Sequence, residues 1–258
     1  MFRNRSTAIV CSMFVVILAL GTVRWMHGQD AKNPYPTSMA PLDQYLMDRN
    51  DEIALARSAA PPSIAKDATV LVFGKDGYET AVKGTNGFVC NVDRSWMDRF
   101  ENSPEFWNPK RRGPVCYNPQ AAKTLVPLVM IRTRLALAGK SKAEIKEGLK
   151  AAIEKGELPA IEPSGMAFML SKQGRLNDHD GPWLPHLMFY VPLKDAETWG
   201  ANLPNSPVSG GSRDPEPISI FIVTVGKWSD GTDAPSKMNA GQMRTATGGS
   251  VQGVGLLL

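Results

Sequence analysis

The sequence predicts an α+β protein in which helices pack on an antiparallel sheet of about five to six strands. Two groups of strand-like segments, within residues 69–92 and 166–225, are separated by segments with a helical pattern. Strands that occur in groups, and do not alternate one by one with helices, are typical of α+β proteins. With 258 residues and 43% hydrophobic content, the chain has enough apolar material for one domain, which we place at residues 41–228.

The first element is a predicted helix at residues 41–60. Pro41 suits a first helical position, and apolar residues recur on one face of the segment. Pro61 and Pro62 then end the helix, because a residue that precedes proline avoids the helical conformation.

Residues 69–92 predict a three-stranded antiparallel meander. The segment TVLVFG at 69–74 is a strand, and the following Lys-Asp-Gly is a turn into a return strand at 78–83. A third strand, at 88–92, places Cys90 on its core-facing side.

Helices are predicted in the middle of the chain. A long connection at 93–116, with a short helix near 95–102, leads to a helix at 118–138 that Pro127 should kink or split. Ser141 and Glu144 have the spacing of a capping box, which predicts an amphipathic helix at 141–155.

Three more strands are predicted at residues 166–171, 186–191 and 218–225, the first two as a hairpin with a long loop. A connection rich in Gly, Pro and Ser, at 200–217, precedes the last strand. The order of a meander, helices and three strands is similar to that of the sensor-type sheets of PAS and profilin-like domains. The likeness lies in element order alone, and it implies a fold that often holds small ligands.

The N-terminus has the pattern of an export signal. Arg3 and Arg5 form a basic region, and residues 8–20 form an apolar stretch of signal-peptide length. We therefore assign residues 1–28 to a signal peptide and expect a periplasmic or secreted protein. The alternative is an uncleaved anchor in the inner membrane, because Met26 is a poor residue for a cleavage site after Gly28.

The segments on either side of the predicted domain are polar. Residues 29–40 form a Pro-bearing linker, and the Gly-rich residues 229–258 are expected to be mostly disordered. The formal net charge is +4, with 29 basic and 25 acidic residues, and three of the basic residues lie in the export signal. The nearly neutral remainder gives no electrostatic case for a nucleic-acid partner. Membrane contact is expected only through an uncleaved N-terminal segment.

Cys90 and Cys116 are the two cysteines that follow the export signal. In an oxidising compartment such a pair predicts a disulfide. The alternative is two separate buried thiols, because the sequence does not show whether their Cβ atoms meet.

Residues 177–186, with the sequence NDHDGPWLPH, form the strongest candidate site. Asp178, His179 and His186 are potential ligands of a divalent metal such as zinc, which is the one cofactor that the sequence suggests. His179, Asp180 and His186 could instead act as a general base with its carboxylate. The loop matches no known catalytic or metal-binding motif, and the alternative is an ordinary surface loop.

A second set of candidates consists of aromatic and basic residues that could line a ligand groove: Trp107, Trp183, Arg111 and Arg112. In the alternative, the aromatic residues cover a sheet face and the arginines are solvated.

No motif in the sequence specifies a reaction, so the sequence leaves open whether the protein is an enzyme. The preferred hypothesis is an exported envelope protein that binds a small molecule or an envelope protein. The first alternative is a metal-assisted or His-Asp hydrolase that uses residues 177–186. The second is a structural or interaction protein without a ligand pocket.

Overall fold

The computed structural model describes residues 35–101, 103–175 and 183–235, whose strands form one eight-stranded mixed sheet. The strand order in the sheet is β2-β1-β3-β4-β5-β6-β8-β7. In chain order the elements are a 3-10 turn Leu42–Tyr45, α1 Arg49–Arg57, α2 Pro62–Ala65, β1 Thr69–Gly74, β2 Gly77–Val82, β3 Val89–Asp93, a 3-10 turn Ser95–Met97, β4 Gly113–Tyr117, α3 Pro119–Leu137, α4 Lys142–Glu154, β5 Met166–Met169, β6 His186–Pro192, a 3-10 helix Leu193–Trp199, β7 Val208–Arg213 and β8 Glu216–Thr224.

The α+β class is confirmed, but the prediction of five to six strands is wrong. Strand β4 lies in the segment that was predicted to be a connection, and β7 lies in the Gly- and Ser-rich segment before the last strand. Strand β4 is buried between β3 and β5, whereas β7 is an edge strand paired with β8. Both strands depend on pairing with distant segments, which overrides their weak local strand propensity.

The predicted antiparallel meander is also wrong, because β3 pairs with β1 in parallel. Strand β2 lies on one side of β1, and the chain then crosses the end of β1 to place β3 on the other side. Gly84 makes this crossing feasible, since a Cβ atom there would lie 2.2 Å from the backbone nitrogen of Thr69. Only glycine allows two backbones to approach so closely.

The first predicted helix is shorter than expected. Residue Asp48 caps α1, and its side chain accepts hydrogen bonds from the amides of Asn50 and Asp51. An N-cap residue has a non-helical backbone, so the helix begins at Arg49 and the preceding turn stays separate.

Helix α3 continues through Pro127 without a split. The proline removes the hydrogen bond that the carbonyl of Lys123 would otherwise accept. Because Lys123 is exposed, water can replace that bond, and the helix persists.

Helices cover both faces of the sheet. Helix α1 packs on the face that carries Cys90, Val92 and Cys116, whereas α3 packs on the opposite face with Leu125 and Leu128. The alternation of side chains along a strand produces these two faces. Cys90 and Cys116 lie directly opposite each other on β3 and β4 and form the predicted disulfide.

Several predicted segments fall wholly or partly outside the described residues, including the export signal at 1–28 and residues 236–258 of the tail. Residues 229–235 of the same tail are described, and the amide of Ser229 donates to the carbonyl of Leu170 at 3.0 Å. No helix in the described part of the chain is long and apolar enough to cross a bilayer.

Candidate functional site

The histidine loop is only partly described. Asp178, His179 and Asp180 lie outside the described residues, so their predicted catalytic and metal-binding roles stay predictions. In the described ranges, no group of three or more His, Cys, Asp or Glu side chains is placed to hold a metal ion.

His186 is the first residue of β6 and is buried, with 5% of its surface exposed. Its Nδ1 lies 2.7 Å from the carbonyl oxygen of Leu184. A carbonyl oxygen only accepts hydrogen bonds, so Nδ1 carries the proton and Nε2 carries the lone pair. Burial lowers the pKa of His186, which favours this neutral form.

His186 lines a cavity of about 110 Å³ between the sheet and α3. The floor of the cavity is a set of paired residues from neighbouring strands. Tyr117, Met188 and Ile222 lie in one row across the sheet, and Tyr190 and Ile220 lie in the next. Ala167 of β5 pairs with both Tyr117 and Met188 in the first row and does not itself line the cavity. Leu125 and Leu128 of α3 line the cavity from above.

Asp93 provides a carboxylate at the end of β3 that also lines this cavity. Its oxygen accepts a hydrogen bond from Nδ2 of Asn91 at 2.8 Å. Burial raises the pKa of Asp93 to about 6, although the bond from Asn91 and the charge of Arg111 act to lower it. A carboxyl group in this range can exchange a proton near neutral pH.

Asp93 and His186 do not form a hydrogen-bonded dyad. The first lies on β3 and the second on β6, three strands away in the sheet. Strands are spaced about 4.8 Å apart, so roughly 14 Å separates the two backbones. A molecule bound between them could contact both residues, but neither orients the other.

Trp183 and Arg111 form one wall of the cavity. The guanidinium carbon of Arg111 lies 5.3 Å from the ring centroid of Trp183, a cation–π distance. Two glycines provide the space for the indole, because a Cβ atom on Gly113 or Gly174 would lie 3.3 or 3.4 Å from its ring. The structure therefore brings together two of the four predicted groove residues.

The other two predicted groove residues lie outside the cavity lining. Trp107 is buried in the core against Phe106, with ring centroids 5.0 Å apart. The side chain of Arg112 donates to the carbonyls of Pro109 and Arg111 at 2.7 and 2.8 Å. Both residues thus have structural contacts that account for their positions.

Two ion pairs flank one end of the cavity. Arg111 binds Asp98 at 2.6 Å, and Arg132 binds Glu216 at 2.8 Å. Although burial acts to raise the pKa of Asp98, Arg111 and the hydroxyl of Ser103 hold it well below its usual value. Asp98 is therefore ionised at neutral pH and fixes the guanidinium of Arg111.

Tyr117 and Tyr190 place two hydroxyl groups at the cavity, with ring centroids 6.2 Å apart. Burial raises the pKa of each hydroxyl, and the charge of Asp93 raises it further. Both tyrosines therefore stay protonated and can donate hydrogen bonds.

Sequence reasoning missed Asp93, Tyr117, Tyr190 and Arg213 as cavity residues. For Asp93 a signal was present: when Cys90 and Val92 face one side of β3, Asn91 and Asp93 face the other. The tyrosines and Arg213 gave no such signal, because strands β4, β6 and β7 come together only in the folded sheet.

Comparison of the chain with protein-family models, with curated proteins and with solved structures finds no match.

Proposed function

We propose that this is an exported α+β protein that binds a small ligand in the cavity between the sheet and α3. The observation that carries the proposal is the cavity itself, in which apolar floor residues adjoin polar and charged groups that include Asp93, Arg111, Tyr117, His186 and Arg213. A concave site that combines apolar side chains with placed polar groups is the usual form of a ligand site.

Export to an oxidising compartment is the second part of the proposal. The basic and apolar regions of residues 1–28 support it, as does the disulfide between Cys90 and Cys116. The likeness to PAS and profilin-like domains stays a prediction about element order and contributes nothing to the argument.

The hydrolase alternative depends on His179 and Asp180, which lie outside the described residues, and it stays a prediction as well. Metal analysis of the purified protein and of His179→Ala and His186→Ala tests it directly. Negligible metal in all three proteins would remove the metal-assisted form of this alternative.

Cavity binding can be tested with small molecules of about five to seven non-hydrogen atoms, the size that such a volume admits. The probes are a carboxylate, an amide, an amine and a hydrocarbon, and saturation-transfer NMR detects binding. Ile222→Phe fills the cavity, whereas Val223→Phe alters the opposite face of the same strand. We expect Ile222→Phe to abolish binding and Val223→Phe to retain it. Equal signals from the two variants, or none from any probe with the native chain, would contradict the proposal.

A further inference from the structure

The charged residues that line the cavity are three arginines and two carboxylates: Arg94, Arg111 and Arg213 with Asp93 and Glu216. Arg94 pairs with Glu52, Arg111 pairs with Asp98, and Glu216 pairs with Arg132. Among the described residues, no ion pair is found for Arg213, so its charge favours an anion beside it.

The guanidinium of Arg213 makes few hydrogen bonds within the protein. It lines the cavity, and its Nε is buried without a hydrogen-bond partner among the described residues. Its Nη1 makes a long contact of 3.4 Å to the carbonyl of Met97. A guanidinium without an ion pair can form charge-assisted hydrogen bonds through its Nη atoms, so an anionic ligand that reaches them gains affinity.

An amine is disfavoured beside Asp93. Asp93 is the carboxylate that an amine would need there, and it already accepts the hydrogen bond from Asn91. The guanidinium groups of Arg94, Arg111 and Arg132 all act on Asp93 electrostatically. They would repel a second cation beside it.

The rest of the cavity suits an apolar chain. Met169, Met188, Ile220 and Ile222 line it from the sheet, and the two methionines can adjust to the shape of the chain. A volume of about 110 Å³ is of the same order as the roughly 150 Å³ cavity that holds benzene, so the ligand is limited to about the size of benzene.

We infer that the cavity binds a short-chain monocarboxylate, with its carboxylate on Arg213 and Arg111 and its alkyl chain on Met169 and Met188. This inference depends on the proposed function, since it assigns a ligand class to the same cavity. The hydroxyl of Tyr117 is a further donor for the carboxylate oxygens. The hydroxyl of Tyr190 donates to Sδ of Met188 at 3.8 Å, a weak acceptor that a carboxylate oxygen would replace.

Three probes of nearly the same shape test the inference: isovalerate, isovaleramide and isopentylamine. Each is titrated calorimetrically into the full chain at pH 7. We expect isovalerate to bind roughly tenfold or more tightly than the amide or the amine, because only the anion forms charge-assisted bonds with guanidinium groups. This comparison needs no variant and is unaffected by folding defects.

Variants then locate the carboxylate. Arg213→Gln should weaken isovalerate binding roughly tenfold or more and leave isovaleramide binding nearly unchanged. Arg134→Gln is the matched control, because Arg134 is exposed on α3, where it pairs with Glu157. Circular dichroism confirms that each variant is folded.

The outcomes separate the inference from the proposed function. If the amide or the amine binds as tightly as isovalerate and Ile222→Phe abolishes that binding, the carboxylate assignment is wrong and the cavity remains the ligand site. If Arg213→Gln and Arg134→Gln weaken isovalerate binding equally, Arg213 does not hold the carboxylate. If no probe binds, both proposals fail.

Discussion

The side-chain nitrogen Nδ2 of Asn91 donates a hydrogen bond to the carboxylate of Asp93 at 2.8 Å. Both residues belong to β3 and face the cavity side of the sheet. The carboxamide oxygen of Asn91 is buried and has no hydrogen-bond partner among the described residues. Asp93 is thus held by one bond in a largely desolvated position, which explains why its pKa rises to about 6.

Replacement of Asp93 by Asn should change the pH dependence of stability. Because the folded-state pKa of Asp93 is raised, the native protein loses free energy of unfolding as the pH rises from about 4 to about 6. The contribution of one such group is about 1–3 kcal/mol. In Asp93→Asn the free energy of unfolding should not fall in this way between about pH 4 and about pH 6. Urea denaturation at several pH values between 4 and 8 would measure it. Asp76→Asn, on the exposed turn after β1, should retain the native profile.

Glu52→Gln should be strongly destabilising. One oxygen of Glu52 accepts the amide of Phe73 at 3.0 Å, and the other accepts Nη2 of Arg94 at 2.8 Å. Both charged side chains are buried, so loss of the carboxylate leaves an uncompensated guanidinium and costs about 3–5 kcal/mol.

The control for Glu52→Gln is Glu162→Gln, which breaks an exposed pair with Lys123. Chemical denaturation should show that this variant loses less than about 1 kcal/mol of its free energy of unfolding. Similar losses for the two variants would mean that the pair of Glu52 and Arg94 is not buried as described.

Removal of the disulfide with Cys90→Ala/Cys116→Ala should lower the free energy of unfolding by about 3 kcal/mol, because the bond closes a loop across β3 and β4. Guanidinium denaturation measures the change, and reduction of the native chain should lower the free energy of unfolding by a similar amount. Alkylation of Cys90 and Cys116 in the unreduced chain would show that the bond does not form in solution.

Gly113→Ala tests whether the indole of Trp183 packs against β4. A Cβ atom at position 113 would lie 3.3 Å from the indole ring and 3.4 Å from Cβ of Asp93. Alanine is otherwise preferred to glycine in a strand. A decrease of about 1–3 kcal/mol in the free energy of unfolding would therefore show that the added methyl group is crowded by the indole. Gly226→Ala, where a Cβ atom meets nothing within 4 Å, should leave stability unchanged or raise it slightly. A stable Gly113→Ala protein would mean that the indole does not pack there.

Local signals predicted those parts of the fold that depend on neighbouring residues. The capping box of Ser141 and Glu144 predicted α4, and the alternation around Cys90 predicted that its side chain faces the core. The disulfide itself was predicted from the export signal and the two cysteines that follow it. Strands β4 and β7 were missed because their pairing partners are distant in sequence. The cavity was missed for the same reason, since Asp93, Tyr117 and His186 meet only through the order of the strands.

The most direct test of cavity binding is NMR of the full chain labelled with ¹³C at the methionine methyl groups, titrated with isovalerate. Met169 and Met188 line the cavity, whereas Met166 lies on the opposite face of the same strand as Met169. We predict that the Met169 and Met188 signals shift in a saturable way, that Met166 stays unchanged, and that Ile222→Phe removes the shifts. Unchanged Met169 and Met188 signals at high isovalerate concentration, or equal shifts at Met166, would contradict the account.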